Sequence, residues 1–227
     1  MIKKPFSWSY SALLDFENCP RAYAAKKVYK TVKEVESPAM RWGNEVHKAM
    51  ELRLAQKKPL PDTMQKWEKY ARAFESAMII DSIHCEMEMA ITRNFQFTDW
   101  FGKDTWARAK IDLLVMTDGG LTAKIYDYKT GSKMKDDDTQ LRLFAAFTML
   151  KFPNVQRVFA QNIWLELDKV SPPITVLREY VGNEWADISA RVSRMERAWI
   201  EEKFPERPSG LCKAHCPVLE CPHNGKR

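Results

Sequence analysis

The chain has 227 residues, 36 of them Lys or Arg and 30 Asp or Glu, which gives a formal net charge of +6 at pH 7 and favours an anionic partner. Its hydrophobic share of 45% and charged share of 29% are ordinary for a globular protein and argue against global disorder. The longest nearly apolar run, residues 143–150, is far shorter than the ~20 residues of a membrane-spanning helix. The N-terminus has no apolar signal-peptide region, so we expect a cytoplasmic protein.

Helical spacing and capping residues mark three segments in the first part of the chain: 9–18, 38–56 and 63–80. Strand patterns follow at 84–91, 95–101, 105–116 and 121–128. The sequence Asp118-Gly119-Gly120 predicts a hairpin between the last two of these strands. The rest of the pattern predicts a helix at 139–151, strands at 155–166 and 174–181, and a helix at 183–202. This order predicts an α/β or α+β fold with a central mixed β-sheet flanked by helices.

The most informative stretch runs from Asp112 to Lys129. Asp127 and Lys129 are two residues apart on a strand and therefore share a face, and Asp112 lies on the preceding strand of the hairpin. Two carboxylates at one site repel each other, and a hard divalent cation such as Mg²⁺ relieves the repulsion. A bound cation polarises a phosphoryl oxygen, and a nearby lysine stabilises charge in the transition state. The pattern suits phosphodiester hydrolysis, although an Asp-x-Lys pair is also common on solvated strand faces.

Four motifs in chain order resemble those of a known family. They are Gly43-Asn44-Glu45-Val46-His47, Lys110-Ile111-Asp112, Asp127-Tyr128-Lys129-Thr130-Gly131 and Gln140-Leu141-Arg142-Leu143-Phe144. From about residue 9 to residue 221 the chain resembles the PD-(D/E)XK nuclease superfamily, in its RecB-type branch. The resemblance implies a restriction-endonuclease-like core in a single nuclease domain, with an N-terminal segment (1–37), the core (38–202) and a tail (203–227).

The resemblance also implies a role for each matched residue. Lys129, Asp112, Asp127 and Gln140 would be catalytic, with Gln140 ordering the site or lying near the phosphate backbone. A Mg²⁺ or Mn²⁺ ion would be held by His47, Asp112, Asp127 and the Tyr128 carbonyl. Phe144 replaces the family's usual tyrosine, so any role for a hydroxyl group there is lost. An extra acidic group would come from Glu86 or Glu88, and the sequence does not choose between them.

Five cysteines are distributed unevenly, with three of them in the last sixteen residues. Clustered cysteines in a chain without an export signal indicate metal or cluster ligation. The resemblance implies a [4Fe–4S] cluster that joins the two ends of the chain in a structural role. A zinc site with His215 or His223 is the alternative, and free thiols are the third reading. The predicted cluster ligands are Cys19, Cys212, Cys216 and Cys221, whereas Cys85 is expected in the core.

The site residues predict metal-dependent phosphodiester hydrolysis, and the resemblance implies a DNA nuclease, an exonuclease acting on ends or single strands in recombination, repair or processing of bacterial or phage DNA. A helicase or recombination protein is the expected partner, since the chain has no helicase segment. The alternatives are a non-catalytic DNA-binding or scaffold subunit and a structure-specific endonuclease. Trp100 and Trp106 are each expected in the core, with stacking on bases as the alternative. The expected backbone contacts are Arg108, Lys110 and Lys133, with Lys103 and Lys135 as further candidates.

Overall fold

The structure is a computed structural model that describes residues 2, 4–76, 80–134 and 137–226. It divides into two compact units, each made of separate stretches of chain. The smaller unit contains Met1–Val35, Ala90–Arg108 and Asp187–Arg227. The larger unit contains Glu36–Met89 and Ala109–Ala186. All residues of the four family-like motifs lie in the larger unit.

The elements are numbered in chain order. The helices are α1 (Tyr10–Asn18), α2 (Pro20–Tyr23), α3 (Pro38–Gln56), α4 (Glu68–Ser76), α5 (Thr139–Lys151) and α6 (Val181–Ile200). The strands are β1 (Trp8–Ser9), β2 (Ile80–Ile91), β3 (Phe97–Thr98), β4 (Ala107–Thr117), β5 (Thr122–Lys129), β6 (Arg157–Trp164), β7 (Lys169–Val170) and β8 (Ile174–Leu177).

The larger unit contains a mixed sheet with the strand order β2-β4-β5-β6-β7, in which β8 also pairs with β6. Strands β4 and β5 are antiparallel, and β5 and β6 are parallel with α5 between them in the chain. The β4–β5 turn uses left-handed backbone at Asp118, Gly119 and Gly120, with φ values of 63°, 63° and 80°. Because glycine adopts positive φ without strain, the predicted hairpin forms here. The predicted mixed sheet with flanking helices is confirmed.

Helix α3 covers one face of this sheet. Ser37 caps its start by accepting a hydrogen bond from Met40 N, and Pro38 occupies the first turn. One stripe of the helix is buried at Val46, Met50 and Leu54, in a core that also contains α4 and residues of β4 and β5. Both α3 and α5 have the bounds that the sequence predicts. The burial of this stripe fixes which side of α3 faces the strands.

Three predicted elements differ from the structure. Residues 95–101 form only the two-residue strand β3, because Phe95 has a φ of 58° and a tight turn follows, in which Gly102 N donates to Asp99 O. Residues 63–80 begin with a 3₁₀ helix, Asp62–Trp67, before α4, and 77–79 lie outside the described residues. Residues 174–181 form β8 only as far as Leu177, and a 3₁₀ turn then leads into α6. At 95–101 and 174–181, short apolar spacing does not distinguish a strand from a turn.

The smaller unit contains the two chain ends. Ser9 caps α1 by accepting a hydrogen bond from Ala12 N. Strand β1 pairs with the first residues of β4, and β3 pairs with the last residues of β2. On α6, Arg191 makes two hydrogen bonds of 2.9 and 2.6 Å to the carboxylate of Glu17. Within the described residues, no helix of either unit has the length and apolar character needed to cross a membrane.

An ion-pair network links α3 to α4. Arg53, which is 12% exposed, donates two hydrogen bonds to the Glu75 carboxylate, at 2.9 and 3.1 Å, and further ones to Glu68. These bonds and a hydrogen bond from Lys57 lower the pKa of Glu75 from 4.5 to about 2. Since the pKa is lower in the folded state, the stabilisation is complete above pH ~4.5 and is lost as the pH falls towards 2.

We therefore expect Glu75→Gln to lower the melting temperature at pH 6 and to have progressively less effect below pH 4.5. Below pH 4.5 the carboxylate gains a proton in the unfolded chain first, and near pH 2 the folded carboxyl group is protonated as well and resembles the amide. Thermal melts of both proteins at several pH values test this, with the exposed Glu179→Gln as the matched control. A difference between Glu75→Gln and wild type that stays constant down to pH 2.5 would contradict the assignment of this network.

Candidate metal centre

The β4–β5 pair places two aspartates side by side. The register pairs Leu113 with Tyr126, so the next position beyond it sets Asp112 opposite Asp127. Both carboxylates are buried, with residue exposures of 8% and 3%. Asp112 Oδ2 accepts a hydrogen bond of 2.7 Å from the backbone N–H of Tyr128. The hairpin thus holds Asp112 in a fixed orientation, with Oδ1 free to point elsewhere.

Helix α3 adds His47 to this pair. A Cβ placed on Gly43 would lie 3.3 Å from Thr130 Oγ1, so the helix and the residue that follows β5 approach closely because residue 43 has no side chain. One turn later, His47 Nε2 lies 3.2 Å from the carbonyl oxygen of Tyr128. Its Nδ1 lies 3.2 Å from Asp112 Oδ1. The spacing in Gly-x-x-x-His therefore has a packing explanation in this chain.

Strand β2 contributes Glu86. Its backbone has a φ of 50°, which is unusual for a residue other than glycine and is often found at functional sites. Glu86 Oε1 is buried without a hydrogen-bond partner and lies 3.5 Å from His47 Nδ1. Glu86 Oε2 pairs with Lys110 Nζ at 2.6 Å. Glu88, by contrast, is exposed, so the structure makes the choice between the two glutamates that the sequence leaves open.

His47, Glu86 and Asp112 form one potential metal site. One ligand atom from each lies within 4.8 Å of the other two, and no other such trio occurs in the described parts of the chain. One imidazole nitrogen and two carboxylate oxygens suit a divalent cation of the Mg²⁺ or Mn²⁺ type. The buried, unpartnered Glu86 Oε1 is an acceptor that such a cation would satisfy. The residues present therefore fit the metal that the resemblance implies.

The protonation of this trio reflects its charges. Burial by itself lowers the pKa of His47, but the neighbouring carboxylates of Asp112 and Glu86 outweigh burial and raise the pKa to about 10. Burial raises the pKa of Glu86, yet His47 and Lys110 together hold it below its usual value. The carboxylates of this site therefore favour positive charge beside them.

Asp127, Lys129 and Gln140 form the second half of the site. Lys129 Nζ contacts Asp127 Oδ2 at 2.5 Å and donates a hydrogen bond of 2.8 Å to Gln140 Oε1 at the start of α5. Burial and the negative charge of Asp112 raise the pKa of Asp127 to about 6, against the opposing effects of Lys129 and His47. Asp127 thus interacts electrostatically with both halves, although it is outside the close trio.

The Tyr128 carbonyl, which the resemblance implies as a ligand, has a hydrogen-bond partner in this structure. It accepts from His47 Nε2, which leaves Nδ1 facing Asp112 and Glu86. Such an outer hydrogen bond fixes the ring orientation and the tautomer of a metal-binding histidine. Phe144 is buried at 3% exposure and contributes to the core.

The residues that were predicted to contact nucleic acid differ in burial and in their partners. Arg108 is half-buried and donates to the Trp100 carbonyl and to Ser7 Oγ. Lys110 pairs with Glu86, whereas Lys133 and Lys103 are exposed, and Lys135 lies outside the described residues. Trp106 is buried at 8% exposure, and Trp100 is half-buried below the Arg108 guanidinium.

The cysteines lie in the smaller unit, apart from the half-buried Cys85, which packs against the core of the larger unit. Cys19, Cys212, Cys216 and Cys221 line one small cavity together with His223. However, no three of these sulfur atoms lie within 4.8 Å of one another, and Cys212 Sγ accepts a hydrogen bond of 3.4 Å from Ser209 N. Tetrahedral zinc with Zn–S distances of ~2.3 Å requires sulfurs closer than this. As arranged, the four thiols share a cavity without forming a mononuclear zinc site.

Sequence reasoning named Glu86 and Glu88 as alternatives, but it missed the ion pair between Glu86 and Lys110. Glu86 and Glu88 have the same strand parity, and in the structure Glu86 has a left-handed backbone whereas Glu88 is exposed. Sequence alone gave no signal for this feature. The Lys110–Glu86 pair was equally hidden, because Lys110 looks like any solvated lysine next to the motif aspartate.

A mixed sheet that gathers a histidine, carboxylates and a lysine at one site is typical of enzymes that hydrolyse phosphodiester bonds. The family model of the PD-(D/E)XK nuclease superfamily matches residues 7–221, and the chain belongs to that superfamily. Nucleases of this superfamily act on nucleic acids and use divalent cations such as Mg²⁺ or Mn²⁺. A search of curated proteins found no match. A solved structure titled "Crystal structure of SSO0001" is similar at 15% identity, covering 99% of this chain and 89% of that chain with a TM-score of 0.48.

Proposed function

We propose that the protein is a Mg²⁺- or Mn²⁺-dependent deoxyribonuclease of the RecB type, acting as an exonuclease in DNA recombination, repair or processing. The observation that carries the proposal is the trio His47, Glu86 and Asp112, with ligand atoms within 4.8 Å of one another. Asp127 connects the trio to Lys129, because its pKa responds to Asp112, His47 and Lys129. A metal-binding group and a lysine at one site are what phosphodiester hydrolysis needs.

Each residue has a distinct task in this proposal. His47 Nδ1, Glu86 and Asp112 would hold a divalent cation, which would supply polarisation of the scissile phosphate and a lowered pKa of a coordinated water. The hydrogen bond from His47 Nε2 to the Tyr128 carbonyl keeps the imidazole ring in place. Lys129 stabilises the negative charge that develops on the phosphate oxygens. Gln140 acts as a positioning residue, since it holds the Lys129 amine by a hydrogen bond of 2.8 Å.

Two other readings remain testable alongside this one. A structure-specific endonuclease would cut closed-circular DNA, whereas an exonuclease would degrade only the linear form. A non-catalytic DNA-binding or scaffold subunit would degrade neither in Mg²⁺ or Mn²⁺. Incubating both DNA forms and an RNA of the same sequence with the purified protein separates these cases. We expect loss of linear DNA alone, and faster loss when a helicase or recombination partner supplies single strands.

Glu86 and Glu88 provide a matched pair for testing the metal site. We expect Glu86→Gln to weaken Mn²⁺ binding by about 10-fold or more, since it removes a negative charge from the trio. Glu88, two residues further along the strand, is exposed. Glu88→Gln removes the same charge there and should leave the Mn²⁺ affinity within about twofold of wild type. Calorimetric titration with Mn²⁺ measures both. Equal affinities for the two variants would show that Glu86 does not bind the metal.

We also propose that Cys19, Cys212, Cys216 and Cys221 hold one structural metal group, a [4Fe–4S] cluster. The alternative, a zinc site, would require the sulfur atoms to move closer together. Support comes from their common cavity and from the suitability of four thiolates for such a cluster. Metal analysis and an absorbance spectrum of anaerobically purified protein distinguish iron from zinc. We expect Cys19→Ser to lose the bound metal and Cys85→Ser to keep it. A metal-free wild-type protein with a normal melting transition would refute this assignment.

A further inference from the structure

A basic cleft lies in the smaller unit, between α6, the segment that follows it, the end of α1 and the start of α2. Its volume is about 630 Å³. Phe16, Pro20 and Pro205 give it apolar walls. The charged residues that line it are Glu17, Arg194, Arg197, Glu201, Lys203 and Arg207. Four cationic side chains and two carboxylates therefore face one opening.

The negative charges of this cleft already have partners. Arg191, beside the cleft, makes two hydrogen bonds to the Glu17 carboxylate, and Arg194 approaches it at 3.6 Å. Arg207 donates a hydrogen bond to the Glu17 backbone carbonyl, so this contact does not pair its guanidinium with a carboxylate. Glu201 pairs loosely with Lys203 at 3.6 Å. The local balance is thus positive, and the excess lies on arginine side chains.

Arg197 contributes most clearly to the positive charge of this cleft that no carboxylate balances. Its guanidinium is exposed in the last turn of α6, three residues after Arg194 and on the same face. In the described part of the chain it has no hydrogen-bond or ion-pair partner. Guanidinium groups bind phosphate oxygens through two parallel hydrogen bonds, and apolar walls suit sugars and bases.

We propose that this cleft binds the phosphate backbone of a nucleic-acid strand, as a contact separate from the metal centre. The inference rests on the proposed function, because a nuclease needs contacts that hold its substrate strand. Arg194, Arg197, Lys203 and Arg207 neutralise phosphates, and Phe16 with the two prolines lines the apolar side. Such contacts release counterions, so they contribute to the dependence of binding on salt.

The test measures binding of a fluorescein-labelled single-stranded DNA oligonucleotide by anisotropy, in EDTA and at several salt concentrations. We expect Arg197→Ala/Lys203→Ala to weaken binding by about 10-fold at 0.1 M salt and to reduce the slope of log K against log salt by ~1.4, since each single-strand contact contributes ~0.7. Arg197→Lys, which keeps the charge, should retain the wild-type slope. The control Lys33→Ala/Lys169→Ala removes two exposed charges elsewhere and should change affinity by less than twofold.

Several outcomes would overturn the inference. These are an unchanged salt slope in Arg197→Ala/Lys203→Ala, an equal loss in the control, no binding of DNA by the wild type, or displacement of the oligonucleotide by poly-glutamate as effectively as by unlabelled DNA. Melting temperatures verify that all variants are folded. Cleavage in Mg²⁺ is measured separately. If the wild type cleaves DNA in Mg²⁺ but the salt slope of Arg197→Ala/Lys203→Ala is unchanged, only the proposal for the cleft is wrong. If the variant lowers the salt slope but the wild type does not cleave DNA, only the nuclease proposal is wrong.

Discussion

Replacing Lys129 by methionine is expected to reduce the rate of metal-dependent DNA cleavage by about 10²–10³-fold, the cost typical of losing one group that stabilises transition-state charge. Methionine keeps much of the apolar stem but loses the amine that contacts Asp127 and Gln140. The loss should appear in kcat, because the charge on the phosphate oxygens grows as the bond breaks. Single-turnover cleavage of linear DNA in Mg²⁺ measures it.

The matched control is Lys124→Met on the same strand. Lys124 lies five residues before Lys129, so its side chain is on the opposite face of β5. We expect this variant to cleave DNA at the wild-type rate. Similar losses in both variants would indicate damage to the strand and not the removal of a catalytic amine. Full activity in a folded Lys129→Met protein would exclude Lys129 from the chemistry.

Replacing Asp112 by asparagine is the second change with a large expected effect. Asparagine preserves the shape and still accepts the hydrogen bond from Tyr128 N, but the charge next to His47 is gone. Mutations of residues that merely support metal ligands cost 10–100-fold in affinity or activity, so loss of a ligand charge should cost at least about 100-fold. The Mg²⁺ concentration that gives half-maximal cleavage should rise accordingly.

Asp118→Asn serves as the control for this variant. Asp118 is in the β4–β5 turn with a φ of 63°, a conformation that asparagine also tolerates. Its carboxylate accepts hydrogen bonds from Thr122 and Arg157 and is not a member of the trio. We expect an unchanged Mg²⁺ requirement. A Mg²⁺ dependence in Asp112→Asn equal to that of wild type would remove Asp112 from the metal site.

Much of this architecture could be predicted from local sequence signals. The capping Ser37 and the apolar stripe of α3 define a helix with the predicted bounds, and Asp118-Gly119-Gly120 defines the hairpin. Strand periodicity and antiparallel pairing then place Asp112 opposite Asp127. These features depend on residues that are close in sequence or joined by one tight turn, so the sequence contains enough information to predict them.

The rest of the site depends on tertiary packing. The position of His47 requires α3 to approach Thr130 at Gly43, a contact between residues 87 positions apart in the chain. Glu86 lies beside His47 and has a left-handed backbone in the middle of β2. Neither the φ of one strand residue nor the partner chosen by Lys110 follows from alternation of apolar and polar side chains. Such details are set by neighbouring elements.

The most direct test of the central claim is to locate Mn²⁺ in crystals of the wild-type protein by anomalous scattering. We predict one peak within about 2.5 Å of His47 Nδ1 and of carboxylate oxygens of Glu86 and Asp112, the range of oxygen–metal distances for hard cations. The Tyr128 carbonyl should remain hydrogen-bonded to His47 Nε2. A Mn²⁺ peak elsewhere in the protein, with no density among these three side chains, would contradict the account.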